Sequence, residues 1–87
     1  MKEALKKFLF TMLKDEYPQI KDIVIEKSDL GGLIVYRVGI GLTYNDLLKI
    51  TKDNEEILKS KIKSLSRYLL DKNEFLESVF FYDPQQY

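Results

Sequence analysis

The chain has 87 residues, of which 45% are hydrophobic and 32% charged, and its fourteen basic and fourteen acidic residues cancel to a net charge of zero. This length fits one domain with one core, and the composition is that of a folded chain. The sequence has no cysteine and no histidine, which excludes disulfides, Cys/His zinc sites, and thiolate or histidine catalysis. Zero net charge also argues against a protein that coats nucleic acid by charge alone.

No segment has the pattern of a transmembrane helix or of a secretory signal peptide. The basic start of the chain is followed by Glu3, Asp15 and Glu16 without a small-residue cleavage site, unlike a secretory signal. The longest apolar stretch, residues 33–42, contains Arg37 and is too short to span a bilayer. We therefore expect a single cytoplasmic domain over residues 1–87 that does not bind a membrane, a metal or a cofactor.

The first element is a predicted helix over residues 2–17. Apolar residues recur along it at helical spacing, with the last of them at the edge of the stripe: Leu5, Phe8, Leu9, Met12 and Leu13. Pro18 disfavours helical geometry at the residue before it, so we expect the helix to end at Tyr17.

Two predicted strands follow and form a hairpin. Residues 20–27 are rich in isoleucine and valine, and residues 33–42 alternate so that one face carries Ile34, Tyr36, Val38 and Ile40. Between the strands, residues 28–32 include Gly31 and Gly32, which can adopt positive φ. The pattern predicts an antiparallel pair with a loop of about five residues.

A helical pattern then runs from Thr43 to about Asp71, with a predicted break near residues 51–53. Thr43 followed by Asp46, and Asp53 followed by Glu56, both have the spacing of a helix N-cap. An apolar stripe follows one side of this segment at Leu58, Ile62, Leu65 and Leu69, joined by Leu47 if the helix is continuous. Asn73 stands where a helix stop belongs, and residues 76–82 predict a third strand that Asp83-Pro84 closes.

The order helix, strand, strand, helix in one or two pieces, strand predicts an α/β (α+β) two-layer sandwich. A long helical connection lets the second and third strands lie parallel, so we expect a three-stranded mixed sheet with the helices on one face. The other face of the sheet would then lack a covering layer, and that face and the edge strands are natural places for a partner.

Aromatic residues on both faces of the third strand favour a protein-interaction role. A strand with large side chains on both faces is normally covered twice, which a domain this small cannot provide. The leading hypothesis is a non-enzymatic module, such as a regulator, inhibitor or assembly factor, that binds a protein partner or itself through the aromatic sheet face or edge. The alternative is that the terminal segment folds over this face and Tyr87 seals it. The candidate interaction residues are Phe10, Phe75, Phe80, Phe81, Tyr82 and Tyr87.

Nucleic-acid binding is the alternative function, through a basic side of the second helix. Lys59, Lys63 and Arg67 fall on the side away from the leucine stripe, where they could contact phosphates or simply form a solvated face with Glu55 paired to Lys59. The element order resembles that of small RNA-binding domains of the K-homology type. Those domains place a G-x-x-G clamp between two helices, whereas Gly31-Gly32 here lies in the hairpin.

Two further patterns give no support for an enzyme. Gly39 and Gly41 precede the second helix, but the third glycine of a dinucleotide loop and the Lys-Ser/Thr pair of a phosphate loop are absent. Glycines late in a strand more often mark a bulge or the close packing of a helix. The carboxylates lie on helices or at their ends, where they cap and solubilise, so we predict no catalytic residues.

Overall fold

A computed structural model describes residues 2–86, and these form three helices and three strands. In chain order they are α1 (Lys2–Leu13), β1 (Asp22–Leu30), β2 (Leu33–Gly41), α2 (Tyr44–Lys49), α3 (Lys52–Ser66) and β3 (Glu74–Tyr82). The helix, strand, strand, helix, helix, strand order confirms the predicted fold class. The observed bounds differ from the expected ones at several ends, most of all at the second helix, which was expected to reach Asp71 but ends at Ser66.

The sheet has the order β1-β2-β3. β1 and β2 pair antiparallel, and β2 and β3 pair parallel, with Ile40 opposite Phe81 near the carboxyl ends of both strands. The predicted mixed sheet is therefore confirmed. Apolar side chains of α1 and α3 form one cluster with one face of the sheet, which makes the domain a two-layer sandwich.

The hairpin between β1 and β2 is tighter than expected. Leu30 pairs with Leu33, so the connection has two residues and the expected five-residue loop is wrong. Gly31 and Gly32 have φ of 63° and 95°, the two positive values that a type I′ turn requires. The Gly32 amide also donates to Asp29 Oδ1 at 3.0 Å. Because two glycines make the whole turn, residues 28–30 remain in β1.

The buried side of α1 is rotated from the predicted stripe. Leu5, Leu9 and Leu13 are fully buried, whereas Met12 is 48% exposed, so placing Leu13 at the edge of the stripe was wrong. The regular helix ends at Leu13, before the expected Tyr17. One more turn follows, in which the Tyr17 amide donates to the Leu13 carbonyl at 2.8 Å.

The expected break in the second helical segment falls at Ile50 and Thr51, between α2 and α3. Thr43 caps α2 as predicted, since its Oγ1 accepts from the Asp46 amide at 3.2 Å and donates to Asp46 Oδ2 at 2.9 Å. The cap of α3 is Thr51, which accepts from the Asn54 amide at 3.2 Å. The predicted Asp53 cap is therefore wrong, because that residue already lies in the first turn.

Tyr36 joins the core to the start of β3. Its side chain is fully buried, and its hydroxyl donates to Glu74 Oε2 at 2.8 Å, while the Asp71 amide donates to Glu74 Oε1 at 2.9 Å. The Asp71 amide and the Tyr36 hydroxyl lower the pKa of Glu74. Burial, followed by the hydrogen bond and the charge of Glu74, raises the pKa of Tyr36 to about 12. β3 thus starts at Glu74, two residues earlier than predicted.

We expect the free energy of unfolding of the domain to fall at high pH because Tyr36 ionises. A phenol whose pKa is raised on folding stabilises the fold fully below its unfolded pKa near 10, and this contribution is lost as the pH rises through about 12. An absorbance titration should therefore show one tyrosine that ionises near pH 12, and Tyr36→Phe should remove that step. A titration that keeps the step in Tyr36→Phe would contradict the assignment.

Candidate protein-interaction site

The candidate site lies on the face of the sheet opposite the helices, called here the open face. Within residues 2–86 no helix packs against it. The pairing register places on it side chains that alternate with the buried ones of each strand. These side chains are Asp22, Val24, Glu26, Ser28, Leu30, Leu33, Val35, Arg37, Phe75, Ser78, Phe80 and Tyr82. Asp22, at the edge of the face, also forms an ion pair with Lys6 of α1.

A bulge in β3 decides which aromatic side chains reach the open face. Tyr36 pairs with Leu76 and Arg37 pairs with Ser78, so Glu77 is an extra residue on β3. The extra residue reverses the alternation beyond it. Phe75 and Phe80 therefore lie on the same side of the sheet, although five positions separate them in the sequence.

Apolar side chains gather at the hairpin end of the open face and form what we call the hairpin patch. Its members are Leu30, Leu33, Val35 and Phe75. Leu30 is 61% exposed, and Leu33 and Phe75 are each 49% exposed. Leu30 is paired with Leu33, and Val35 with Phe75, so the four side chains are neighbours. Contiguous exposed apolar residues of this kind are typical of binding surfaces.

A band of charge crosses the open face beside the hairpin patch. Arg37 lies between Glu26, at 3.1 Å, and Glu77, at 3.8 Å. The Arg37 guanidinium also lies 5.2 Å from the centre of the Phe80 ring, a cation–π geometry. Exposed ion pairs add little stability, so the band serves chiefly to keep the middle of this face polar.

The two late glycines of β2 give room to the aromatic rings of β3. A Cβ at Gly39 would lie 2.6 Å from the Phe80 ring, and one at Gly41 would lie 2.9 Å from Pro84 and 3.1 Å from Tyr82. Rings from β3 and Pro84, and not the helix expected from the sequence, therefore lie close to these glycines. Tyr82 becomes 91% buried in this way. The end of the open face away from the hairpin is thus covered by the chain itself.

The other predicted interaction residues lie elsewhere. Phe10 and Phe81 are half-buried and pack against the core on the helix side of the sheet, so the structure does not bring them to the open face. Phe75 and Phe80 lie on it, and Tyr82 lies there in a buried position. Tyr87 is outside the described residues.

The predicted basic residues of α3 differ in their surroundings. Lys59 forms the expected pair with Glu55 at 3.0 Å. Lys63 and Arg67 are exposed and line a cleft of about 400 Å³ whose wall also includes Phe75. The structure therefore brings part of the aromatic set and part of the basic set together, although they were predicted for different functions.

Neither a protein-family model nor a curated protein matches the sequence. Among solved structures, the chain is similar to the MamB CTD magnetosome protein of Desulfamplus magnetovallimortis BW-1, with a TM-score of 0.61 and 17% sequence identity. The match covers 93% of this chain and 91% of that one. The two chains share a fold. At this identity the likeness shows the fold alone.

The described residues offer little that resembles a catalytic or metal centre. Residues 2–86 contain no group of three carboxylate, histidine or cysteine side chains placed to hold a metal ion. A second cleft, of about 290 Å³, lies beyond the carboxyl ends of β2 and β3 and includes Glu16 and Asp46. Glu16 pairs with Lys61 and Asp46 takes part in the cap of α2, so both carboxylates have structural partners.

A helix that spans a bilayer must be both long and predominantly apolar. Across residues 2–86, no helix combines the length and the apolar composition needed to cross a membrane.

Three members of the hairpin patch were not among the predicted site residues. Leu30 fell within the expected loop, and Leu33 and Val35, which alternate with the residues of the Tyr36 face, were not proposed as contacts. The alternation of β2 did contain the signal, because Leu33, Val35 and Arg37 all fall on the side away from the buried residues. A one-sided helical layer makes that side the exposed one.

Proposed function

We propose that this chain is a non-enzymatic interaction module that binds a protein through the hairpin patch on its open face. The observation that carries the proposal is the one-sided sandwich, in which the helices cover one face of the sheet and leave Leu30, Leu33 and Phe75 49–61% exposed on the other. Burying these side chains against a partner would contribute roughly 25 cal/mol per Å² of apolar surface removed from water, from which the entropy cost of association is subtracted.

The face is a better docking surface than the sheet edges. The bulge at Glu77 interrupts β3, and bulges and charged side chains protect edge strands against pairing with another chain. On β1, exposed Lys27 and Asp29 have the same effect. We therefore propose contact through side chains of the open face rather than through an added strand.

A regulator, inhibitor or assembly factor remains the class of role that we propose. The solved neighbour is designated a CTD, and the proposal extends to a module of that kind joined to a larger protein. No reaction is proposed, because the carboxylates that line the second cleft are held by Lys61 and by the cap of α2.

Nucleic-acid binding through Lys59, Lys63 and Arg67 has less support. Lys59 is paired with Glu55, which reduces the charge that it offers to a phosphate. The link between α2 and α3 is Ile50-Thr51, so the position of a K-homology clamp has no glycine. The described basic residues also share the surface with acidic ones. The protein-binding function is therefore the one that we propose.

The proposal predicts that Leu33→Lys abolishes complex formation, while Leu48→Lys does not. Leu48 is 66% exposed and lies on α2, so the second variant makes the same chemical change on an apolar side chain outside the open face. Self-association is measured by sedimentation, and partner binding by affinity capture from the native host with mass spectrometry. A charge placed in the hairpin patch should reduce association by about a hundredfold or more, as loss of a central apolar contact does.

Circular dichroism on both variants separates loss of binding from loss of fold. A folded Leu33→Lys that associates as strongly as the wild-type chain would contradict the proposal. A second result would also contradict it. In that result the wild-type chain stays monomeric at micromolar concentration in sedimentation, and affinity capture recovers the same proteins with the wild type as with Leu33→Lys.

A further inference from the structure

The cleft beside the hairpin patch has the character of a binding site for a charged partner segment. It has a volume of about 400 Å³, lies between the end of α3 and the start of β3, and has Lys63, Arg67 and Lys72 in its lining. Phe75 belongs both to this lining and to the hairpin patch. The cleft is therefore continuous with the interaction surface proposed above, on which this inference rests.

The cations of the cleft have no acidic partners within residues 2–86. Ion pairs in that part of the chain involve Lys6, Arg37, Lys59 and Lys61, and none involves the three basic residues of the cleft. Lys59 provides the contrast, since it lies one turn before Lys63 on the same helix and is paired with Glu55. Other basic residues of the described chain also lack an ion pair, but these three line one cleft together.

The acids of the cleft are only partly available to oppose these cations. Glu74 accepts hydrogen bonds on both oxygens, from the Tyr36 hydroxyl and from the Asp71 amide, so it is held by the fold. Asp71 is exposed. Three cations against two carboxylates, Asp71 and Glu74, leave the lining with a formal net charge of +1. Its apolar wall consists of Leu70, Phe75 and Leu76.

We propose that the cleft receives an acidic peptide segment of the protein partner, with carboxylates on Lys63 and Arg67 and an apolar side chain against Phe75. A guanidinium binds a carboxylate in bidentate fashion, and the exposed ring offers an apolar contact at the centre of the surface. A nucleic-acid strand fits less well. The cleft offers a single exposed ring, Phe75, and so one stacking position where proteins that bind single strands use several.

The test is a selection of random short peptides displayed against the folded full chain. The Lys63→Glu/Arg67→Glu double variant is selected in parallel, and Lys14→Glu/Lys21→Glu serves as the control with the same change of charge at exposed positions outside the cleft. The wild-type chain and the control should enrich acidic peptides that contain an apolar residue. The cleft variant should lose these peptides or enrich basic ones.

Fluorescence anisotropy then measures the affinity of an enriched peptide, and of a random single-stranded oligonucleotide, for each of the three proteins. The affinity of the peptide for the cleft variant should be lower than its affinity for the control by a factor of about ten or more. Added salt should weaken its binding to the wild type. In the selection, the inference is overturned if no peptides are enriched or if the enriched peptides lack acids. In the anisotropy measurement, it is overturned if the cleft variant still binds the peptide or if the wild type binds the oligonucleotide more tightly than the peptide.

The outcome is distinguishable from failure of the proposed function. If Leu33→Lys abolishes a natural complex that Lys63→Glu/Arg67→Glu leaves intact, the open face is the interaction surface and the inference about the cleft is wrong. If neither variant affects any complex, both are wrong.

Discussion

Ile62→Ala should lower the free energy of unfolding by about 2–5 kcal/mol, the range for removing a large buried aliphatic side chain from a core. Ile62 is fully buried on α3, within the cluster that includes Leu9 and Val79. Small domains have roughly 5–15 kcal/mol of stability in total, so this one change removes a large part of it. Urea unfolding monitored by circular dichroism gives the measurement.

Ile57→Ala is the matched control, since the same substitution is made on the same helix at a side chain that is 60% exposed. It should change the free energy of unfolding by no more than about 0.5 kcal/mol. Equal losses in the two variants would mean that α3 does not present the face described here to the sheet. The layered architecture, and with it the open face, would then be wrong.

Gly39→Ala should destabilise the domain by about 1–3 kcal/mol, the range for overpacking. Alanine normally has an advantage over glycine in regular backbone of roughly 0.5–1 kcal/mol, so a loss here needs a specific cause. The Cβ would lie 2.6 Å from the Phe80 ring. The ring must move, and it then loses its contact with the strand and its position beneath Arg37.

The cause is isolated by repeating the substitution in a Phe80→Ala background. Without the ring, the tight contact of the Cβ is the one with Tyr82 at 3.2 Å, so most of the loss caused by Gly39→Ala should disappear, which gives a coupling energy of about 1–3 kcal/mol between positions 39 and 80. Urea unfolding of the four proteins completes the cycle. Additive losses would show that the ring does not lie over Gly39 and that this end of the open face has a different surface.

Local patterns predicted the elements and their order, because they depend on neighbouring residues. The alternation of β2 identified the buried face with Tyr36, Val38 and Ile40, and the Thr43-Asp46 spacing identified the start of α2. The parallel pairing of β2 with β3 followed from the long helical connection between them. For these features, hydrophobic periodicity and capping residues were enough to predict the elements and their order.

The structure departs from the sequence-based expectations where tertiary packing or an irregularity decides. The extra residue Glu77 reverses the faces of β3, and nothing in the strand's sequence marks it. Phe75 and Phe80 therefore share the open face while Phe81 joins the core. Likewise, Met12 and Leu13 are equally apolar, and the orientation of α1 against β1 alone determines that Leu13 is buried.

Part of the candidate site was predictable and part was not. Exposure of one sheet face followed from the count of helices and strands. The hairpin patch did not, because Ser28-Asp29 has the composition of a loop and hid the pairing of Leu30 with Leu33. The meeting of Phe75 with Lys63 and Arg67 also depends on where α3 ends beside β3, which no local pattern specifies.

The central claim, that the open face binds a protein, is tested most directly by methyl NMR with an inert paramagnetic probe in solution. In the dilute domain, the probe should relax the methyl groups of Leu30 and Leu33 about as strongly as those of Leu48 and Ile57, and those of the half-buried Val35 to a smaller but measurable extent. In the complex, whether with a captured partner or with a second copy at high concentration, the three open-face residues should become protected. Leu48 and Ile57 should stay accessible. Protection of Leu48 and Ile57 with continued exposure of Leu30, Leu33 and Val35 would contradict the claim.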